Sequence, residues 1–366
     1  MSEANRSNGV ANRPSNLPAA GPVDATAAVP ASPSAHDGAE ASVVVGGDLP
    51  TSAIPAHADR TGFLQGLGCY LLWGVMSLYW NLLSAIPALQ VLSWRMAWSA
   101  VFVIVLCVAV KRTRFLHLLR DPRAVRTFVT SGLIITVNWG VYVYAASTGH
   151  VLETSVGYYL CPLCAIALGM AVFRERLTRM QWVATALAAA GVAFFIVVHG
   201  GEYWIILALA ISFSVYGAVK KKGGYPALQG MAFESLITGV LGVVLLAAGA
   251  MAPWIWQLTP AVPNAIAVYD PAMLAMLLVG SGVLTAVPLL LYSAAANRIS
   301  MTMIGFLEYV SPTMSLILAV GFFGEEFTVA HGVCLGLIWL GIAGIAVEAA
   351  LRSRRAGIME GTAKTP

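Results

Sequence analysis

Residues 158–178 read YYLCPLCAIALGMAVFRERLT, and residues 308–328 read EYVSPTMSLILAVGFFGEEFT. A shift of 150 places aligns Tyr159 with Tyr309, Pro162 with Pro312, Glu175 with Glu325 and Thr178 with Thr328. The match continues outward, with Ala145-Ala146 on Ala295-Ala296 and Gly191 on Gly341. Each copy runs from a proline inside an apolar stretch, through a Glu-x-x-Thr turn, to a glycine-bearing apolar stretch. The chain is a duplication, and what is duplicated is helix long and apolar enough to cross a bilayer.

Composition agrees. The chain is 58% hydrophobic and 10% charged, outside the balance of soluble domains. A helical span needs about 20 apolar residues. Ten such runs are expected, at 63–83, 89–110, 127–147, 151–173, 180–198, 203–219, 228–250, 272–292, 301–322 and 329–350. No run shows the period-2 alternation of a membrane barrel. The fold class is therefore all-α, a polytopic membrane protein with ten transmembrane helices in two inverted five-helix repeats. The expected organisation is a disordered cytoplasmic tail over 1–60, repeats at 61–200 and 201–351, and a cytoplasmic tail at 352–366. The first segment is rich in Ala, Pro, Ser and Gly, without aromatic residues, and lacks the apolar area to offset ordering entropy.

Nearly all Lys and Arg of the membrane region fall in the connections after even-numbered runs, as in Lys111–Arg126, Arg174–Arg179 and Lys220–Lys222. The positive-inside rule then places both termini in the cytoplasm. Five helices per copy force the two copies to face opposite ways. Inverted five-plus-five repeats are a layout of secondary transporters, with substrate near the midplane between the halves.

Ionisable groups inside spans need a partner, a cavity or a role. Arg95, two turns into the second run, reads either as a snorkelling arginine or as a partner for an anion. Glu153, beside His150 at the start of the fourth run, reads as a dipole-favouring end residue or a proton carrier. Glu234 reads as the partner of the Lys220–Lys222 run or as a proton relay. Pro312 deprives the Glu308 carbonyl of its helical donor, and Pro162 does the same to Tyr158, the repeat-mate of Glu308. Freed carbonyls are tolerated where they line a cavity. The substrate-binding candidates are thus Asn138, Trp139, Tyr158, Glu308, Tyr309 and Arg95. Proton coupling is assigned to Glu308, Glu234 or Glu153. Trp73, Tyr79, Trp80, Tyr142 and Tyr216 add aromatic surface that an interfacial belt would also explain. Pro162, Pro312, Glu175 and Glu325 are read as structural, the two glutamates holding helix pairs 4–5 and 9–10. Cys161-Pro-Leu-Cys164 lies within a membrane helix and has no second pair, so neither redox nor metal chemistry is expected. No P-loop, metalloprotease helix or Gly-x-Ser-x-Gly elbow occurs, and the reading is not an enzyme, with no cofactor and no metal.

Asn138-Trp139, Gly149-His150-Val151-Leu152-Glu153, Gly157-Tyr158-Tyr159 and Pro162-Leu163 together resemble the RarD branch of the EamA transporters. Trp73-Gly74, Trp94-Arg95, Tyr216-Gly217, Gly230-Met231, Glu234-Ser235, Pro288 and Gly305-Phe306-Leu307-Glu308-Tyr309 with Pro312-Thr313 extend the resemblance over residues 62–350. It implies the drug/metabolite transporter superfamily, a bacterial inner membrane, export of small molecules and an association with chloramphenicol. Two positions depart from the pattern, Trp94 in place of a histidine and Glu308 in place of a glutamine. The expected partners are a small-molecule substrate and the lipid bilayer, with no nucleic acid and with a homo-oligomer as an option. Export by alternating access, with proton antiport, stands beside an uncoupled facilitator and a non-transporting receptor or scaffold.

Overall fold

The computed structural model describes residues 59–110, 113–259, 270–322, 324 and 326–363. Of the tail expected to be disordered over 1–60, residues 1–58 lie outside the described residues, as does Glu325, while Asp59 caps and Arg60 begins α1. Among the described residues the fold is entirely helical, and ten helical spans are long and apolar enough to cross a membrane. These are α1 (Arg60–Leu82), α2 (Ala88–Ala109), α3 (Pro122–Ser147), α4 (Val151–Phe173), α5 (Arg179–His199), α6 (Tyr203–Gly223), α7 (Ala227–Met251), α8 (Pro271–Ala296), the pair α9 (Met301–Glu308) and α10 (Val310–Gly321), and α11 (Val329–Ala363). Two short 3-10 segments, Thr113–Arg120 and Pro253–Leu258, fill connections that the apolar pattern leaves blank. Helix α11 continues to Ala363, so most of the expected 352–366 tail extends the last helix.

Helix starts follow local chemistry. Asp59 and Asp121 accept backbone N–H groups at the starts of α1 and α3. Thr178 and Gln181 form a reciprocal capping box on α5. One repeat on, Thr328 and His331 take the same places: the Thr328 hydroxyl lies 2.7 Å from His331 Nδ1 and accepts from the His331 N–H at 3.4 Å. The sequence Pro-Ala-Leu-Gln opens both α2, at Pro87, and α7, at Pro226. The two prolines adopt nearly the same backbone angles, φ −50° and −54° with ψ 130° in both. They mark α2 and α7 as counterparts.

Packing carries the pseudo-two-fold relation directly. Helices α5 and α11 lie against each other through Gly191 on Cys334 and Gly341 on Ala184. Gly191 and Gly341 are 150 places apart, and so are Ala184 and Cys334. The contact is therefore made twice, once from each repeat, across one axis. Elsewhere α3 packs on α6 as α8 packs on α1, and α2 packs on α7. Small residues allow this close approach where apolar burial gives no drive between helices in lipid.

The ninth span is interrupted at Tyr309. Its first half, α9, packs closely along α4, where a side chain on Gly305 would meet the Pro162 carbonyl at 2.8 Å. Its second half, α10, packs on α1, barely meets α4, and has no fully buried residue. A side chain on Gly74 would meet Met314 Cβ at 2.5 Å, and the Ser315 hydroxyl donates to the Gly74 carbonyl at 3.3 Å.

Two tests follow. Gly341→Val should lower the thermal midpoint by several degrees, because overpacking a tight contact costs about 1–3 kcal/mol. Gly336→Val on the same helix, where an added Cβ meets nothing within 4 Å, should leave the midpoint unchanged in the same thermal scan. Asp59 is held below the ordinary carboxylate range first by the Arg298 hydrogen bond, and Asp121 first by the Arg123 backbone N–H. Depressed acids stabilise above their unfolded pKa and lose that contribution as pH falls through the folded value. The stability gap between the native chain and an Asp59→Asn, Asp121→Asn variant should therefore shrink between about pH 5 and pH 3.

Candidate functional site

The end of the bundle that carries Arg174, Lys220–Lys222 and Arg298 is tied by polar side chains. Arg174 ends α4 in the left-handed conformation, φ 54°. This turns Glu175 back toward the start of α9. Its carboxylate accepts from Met301 N at 2.7 Å, Thr302 N at 2.8 Å and the Thr302 hydroxyl at 2.6 Å. Ser300 takes the next N–H, that of Met303, at 3.1 Å. The first donors of α9 are thereby satisfied, with negative charge at the positive end of the helix dipole. Gly169 is needed here, since a Cβ would lie 2.7 Å from the Glu175 carboxylate. Glu175 thus joins the two repeats, α4 to α9, where the sequence suggested α4 to α5.

Glu234 makes a second tie. It is 1% exposed and receives Lys220 Nζ at 3.0 Å, the Tyr216 hydroxyl at 2.9 Å and the Ser131 hydroxyl at 2.8 Å. Three helices, α3, α6 and α7, meet on this carboxylate. The pairing with the lysine run read from the sequence is made by Lys220. Lys221 turns instead to the end of α8 and donates to the Ala296 and Ile299 carbonyls at 3.1 and 2.6 Å.

Glu308 is in a different position. It ends α9 at the interruption, is 5% exposed, and makes no hydrogen bond or ion pair among the described residues. It lies within electrostatic reach of the hydroxyls of Tyr70, Tyr292 and Tyr158. Tyr70 and Tyr292 stand edge to face at 6.4 Å, with Trp73 5.6 Å from Tyr70 and 5.9 Å from Tyr292. The Tyr70 hydroxyl is buried without a partner. Trp73 and Tyr216, which an interfacial belt would also explain, belong to this interior cluster. Tyr292 is the repeat-mate of Tyr142, so the 150-place shift marks it; Tyr70 carries no comparable signal.

Nearer the opposite end, Tyr142 and Tyr158 pair at 6.1 Å. The Arg95 guanidinium lies 4.7 Å from the Trp80 ring and 4.8 Å from the Trp139 ring. Arg95 and Trp139 are thus in contact, and Tyr158 is within electrostatic reach of Arg95 and of Glu308 in the second repeat. The structure places the other expected site residues elsewhere. The Asn138 amide donates to the Leu209 carbonyl at 3.1 Å and Ser212 at 2.8 Å, fastening α3 to α6. Tyr309 packs with its repeat-mate Tyr159, Phe195 and Cys334, on the α5–α11 side. Glu153 accepts the Glu202 N–H at 3.4 Å in the connection before α6. Cys161 is buried against α6, its thiol 3.9 Å from the Leu209 carbonyl. Pro162 sits within an unbroken α4, whereas Pro312 follows the interruption after Glu308.

Ten spans arranged about a pseudo-two-fold axis, with ionisable groups between the halves, define a membrane transporter. The comparisons make the class specific: the EamA-like transporter family model matches residues 60–197 and again 200–347, and the chain belongs to that family. An uncharacterized transporter of Pseudomonas aeruginosa is 36% identical over 81% of this chain and 96% of that protein. The protein RarD of Escherichia coli is 34% identical over 82% of this chain and 98% of that protein. The protein RarD of Streptomyces exfoliatus is also 34% identical, over 82% and 92%. A solved crystal structure shares the fold, with a TM-score of 0.60 at 20% identity over 79% of this chain and 99% of the other. These relatives make the chain a RarD-type, multi-pass bacterial membrane protein.

Removing one partner of a buried ion pair leaves an uncompensated charge and costs about 3–5 kcal/mol. Glu234→Ala should accordingly lower the unfolding midpoint sharply in detergent. The double variant Glu234→Ala, Lys220→Met should recover part of the loss, and with Lys220→Met alone it closes a double-mutant cycle.

Proposed function

We propose that the chain is a secondary transporter that exports small amphipathic metabolites or drugs by alternating access, with proton antiport through Glu308. The observation that carries this reading is the position of Glu308: a buried carboxylate with no hydrogen bond or ion pair among the described residues, at the break between α9 and α10, between two repeats of opposite orientation. A carboxylate held in hydrocarbon without a cation has its charge state coupled to whatever enters beside it. The substrate tract runs from Arg95 past Trp139 and Tyr158 to Glu308, with Asn138 and Tyr309 fixing the surrounding helices. Glu234 is engaged by three donors and Glu153 by a loop N–H, so both are secondary to Glu308 as proton carriers.

The basic end faces the cytoplasm by the positive-inside rule, in a bacterial inner membrane with both termini inside. The polar ties at Glu175, Glu234 and Lys221 then seal the cytoplasmic half. An uncoupled facilitator would use the same tract without proton movement.

The test is flux in proteoliposomes enclosing a pH dye, with a pH gradient and a panel of aromatic metabolites and chloramphenicol-like drugs. Substrate-dependent proton movement is expected, and Glu308→Gln should abolish it while leaving bound substrate detectable. PH-coupled flux unchanged in Glu308→Gln would overturn the coupling role. Substrate flux without proton movement would make the protein a facilitator, and binding without flux a receptor.

A further inference from the structure

Arg95 and Glu234 hold the same register in the two repeats, each eight residues after the proline of its Pro-Ala-Leu-Gln start. Their surroundings differ completely. Glu234 is closed by a cation and two hydroxyls. Arg95 has no carboxylate partner among the described residues, and its buried Nε makes no hydrogen bond. What holds it is stacking: Trp80 and Trp139 lie at nearly equal distances from the guanidinium carbon. Such stacking stabilises the cation and restricts its plane, yet consumes none of its five N–H donors. Those donors remain free in the plane, the geometry that suits a two-pronged bond to a carboxylate. The hydroxyls of Tyr142 and Tyr158 lie within electrostatic reach of Arg95 but carry no compensating charge. A guanidinium kept in a membrane helix without a counter-charge is costly unless something supplies one.

We infer that Arg95 is a specificity-determining residue whose counter-charge is the carboxylate of an organic anion, with Trp80, Trp139, Tyr142 and Tyr158 packing against the anion's apolar body. The inference rests on the tract proposed above as the substrate path and names the class of solute it takes there. Tyr158 is in electrostatic reach of both Arg95 and Glu308.

The test uses the full chain in phosphatidylcholine nanodiscs and measures binding by saturation-transfer NMR. The probes are benzoate, 2-naphthoate and 4-phenylbutyrate, each paired with its neutral carboxamide. The native chain should bind at least one carboxylate ten-fold or more tighter than its amide. Arg95→Gln should reduce that preference to two-fold or less while amide binding persists. Arg95→Lys, which keeps the charge but loses the planar fork, should retain only part of it. If Arg95→Gln does not fold, the native chain against Arg95→Lys carries the comparison. Equal binding of acids and amides by the native chain, no carboxylate bound, or a preference that survives Arg95→Gln would each overturn the assignment. So would loss of the preference on adding phosphatidylglycerol, since a lipid headgroup would then be the occupant. Flux is measured separately: a carboxylate preference without transport would sink the transporter reading and leave this site standing, and transport without the preference would do the reverse.

Discussion

In hydrocarbon no water satisfies a helix end or a lone charge, so each polar group must find its partner inside the protein. The bond set of Glu175 meets the same need for a helix start at the basic end of the bundle. One carboxylate satisfies two backbone donors and a hydroxyl at the start of α9, and so holds the first repeat to the second. Its geometry needs an arginine in the left-handed conformation and a glycine one turn earlier, both supplied by α4. Lys221 at the end of α8 and Glu234 among α3, α6 and α7 extend the same logic across that end of the bundle. The opposite end is held by lighter ties, from the Tyr79 hydroxyl to the Leu277 carbonyl and from the Leu89 N–H to Thr259.

The duplication preserves what packing requires and lets chemistry diverge. Gly191 and Gly341 make the same contact from opposite sides, and any larger residue at either would press on backbone. Tyr158 and Glu308 stand at matching places near the axis, as do Tyr142 and Tyr292. The first repeat holds two phenols there, Tyr142 and Tyr158, 6.1 Å apart, and the second a phenol and a carboxylate, Tyr292 and Glu308. Arg95 and Glu234 differ in sign. Equivalent positions in the two halves therefore share backbone geometry and differ in charge, and the two ends of one path are chemically distinct.

Much of the fold was legible because span length and the 150-place repeat are properties of local sequence. Ten runs, their order and the inversion implied by five helices per copy need no side-chain contact to be read. The site was legible only in part. Glu308, Tyr158 and Arg95 stand out as polar or ionisable groups in apolar runs, and the structure places Arg95 against Trp80 and Trp139 and buries Glu308. Asn138 carries the same signal but uses its amide to bind helix to helix, a distinction set by which face turns toward α6. Glu175 reads as a turn residue, yet its partner lies more than a hundred residues away, and no local pattern encodes that. Tyr70 is one aromatic among many in α1 until Tyr292 and Glu308 are placed beside it.

Prolines at matching places have unlike effects, and the reason lies in what clamps each span. Around Pro162, α4 is fastened to α6: the Ser214 hydroxyl donates to the Cys161 carbonyl at 3.0 Å, and Gly157 admits Leu209 one turn earlier. The helix is supported through its missing hydrogen bond and stays continuous. Around Pro312 the supports pull apart. Gly305 draws α9 onto α4 before the proline, while Gly74 draws α10 onto α1 beyond it. The helix assignment breaks between them, at Tyr309, and the residue before the break is Glu308. Rotation of α10 about that point would alter the surroundings of the carboxylate while leaving the Glu175 cap on α9 intact. The weakest hydrogen bonding in the ninth span thus coincides with its one ionisable group, which links helix movement to the charge that the tract can hold.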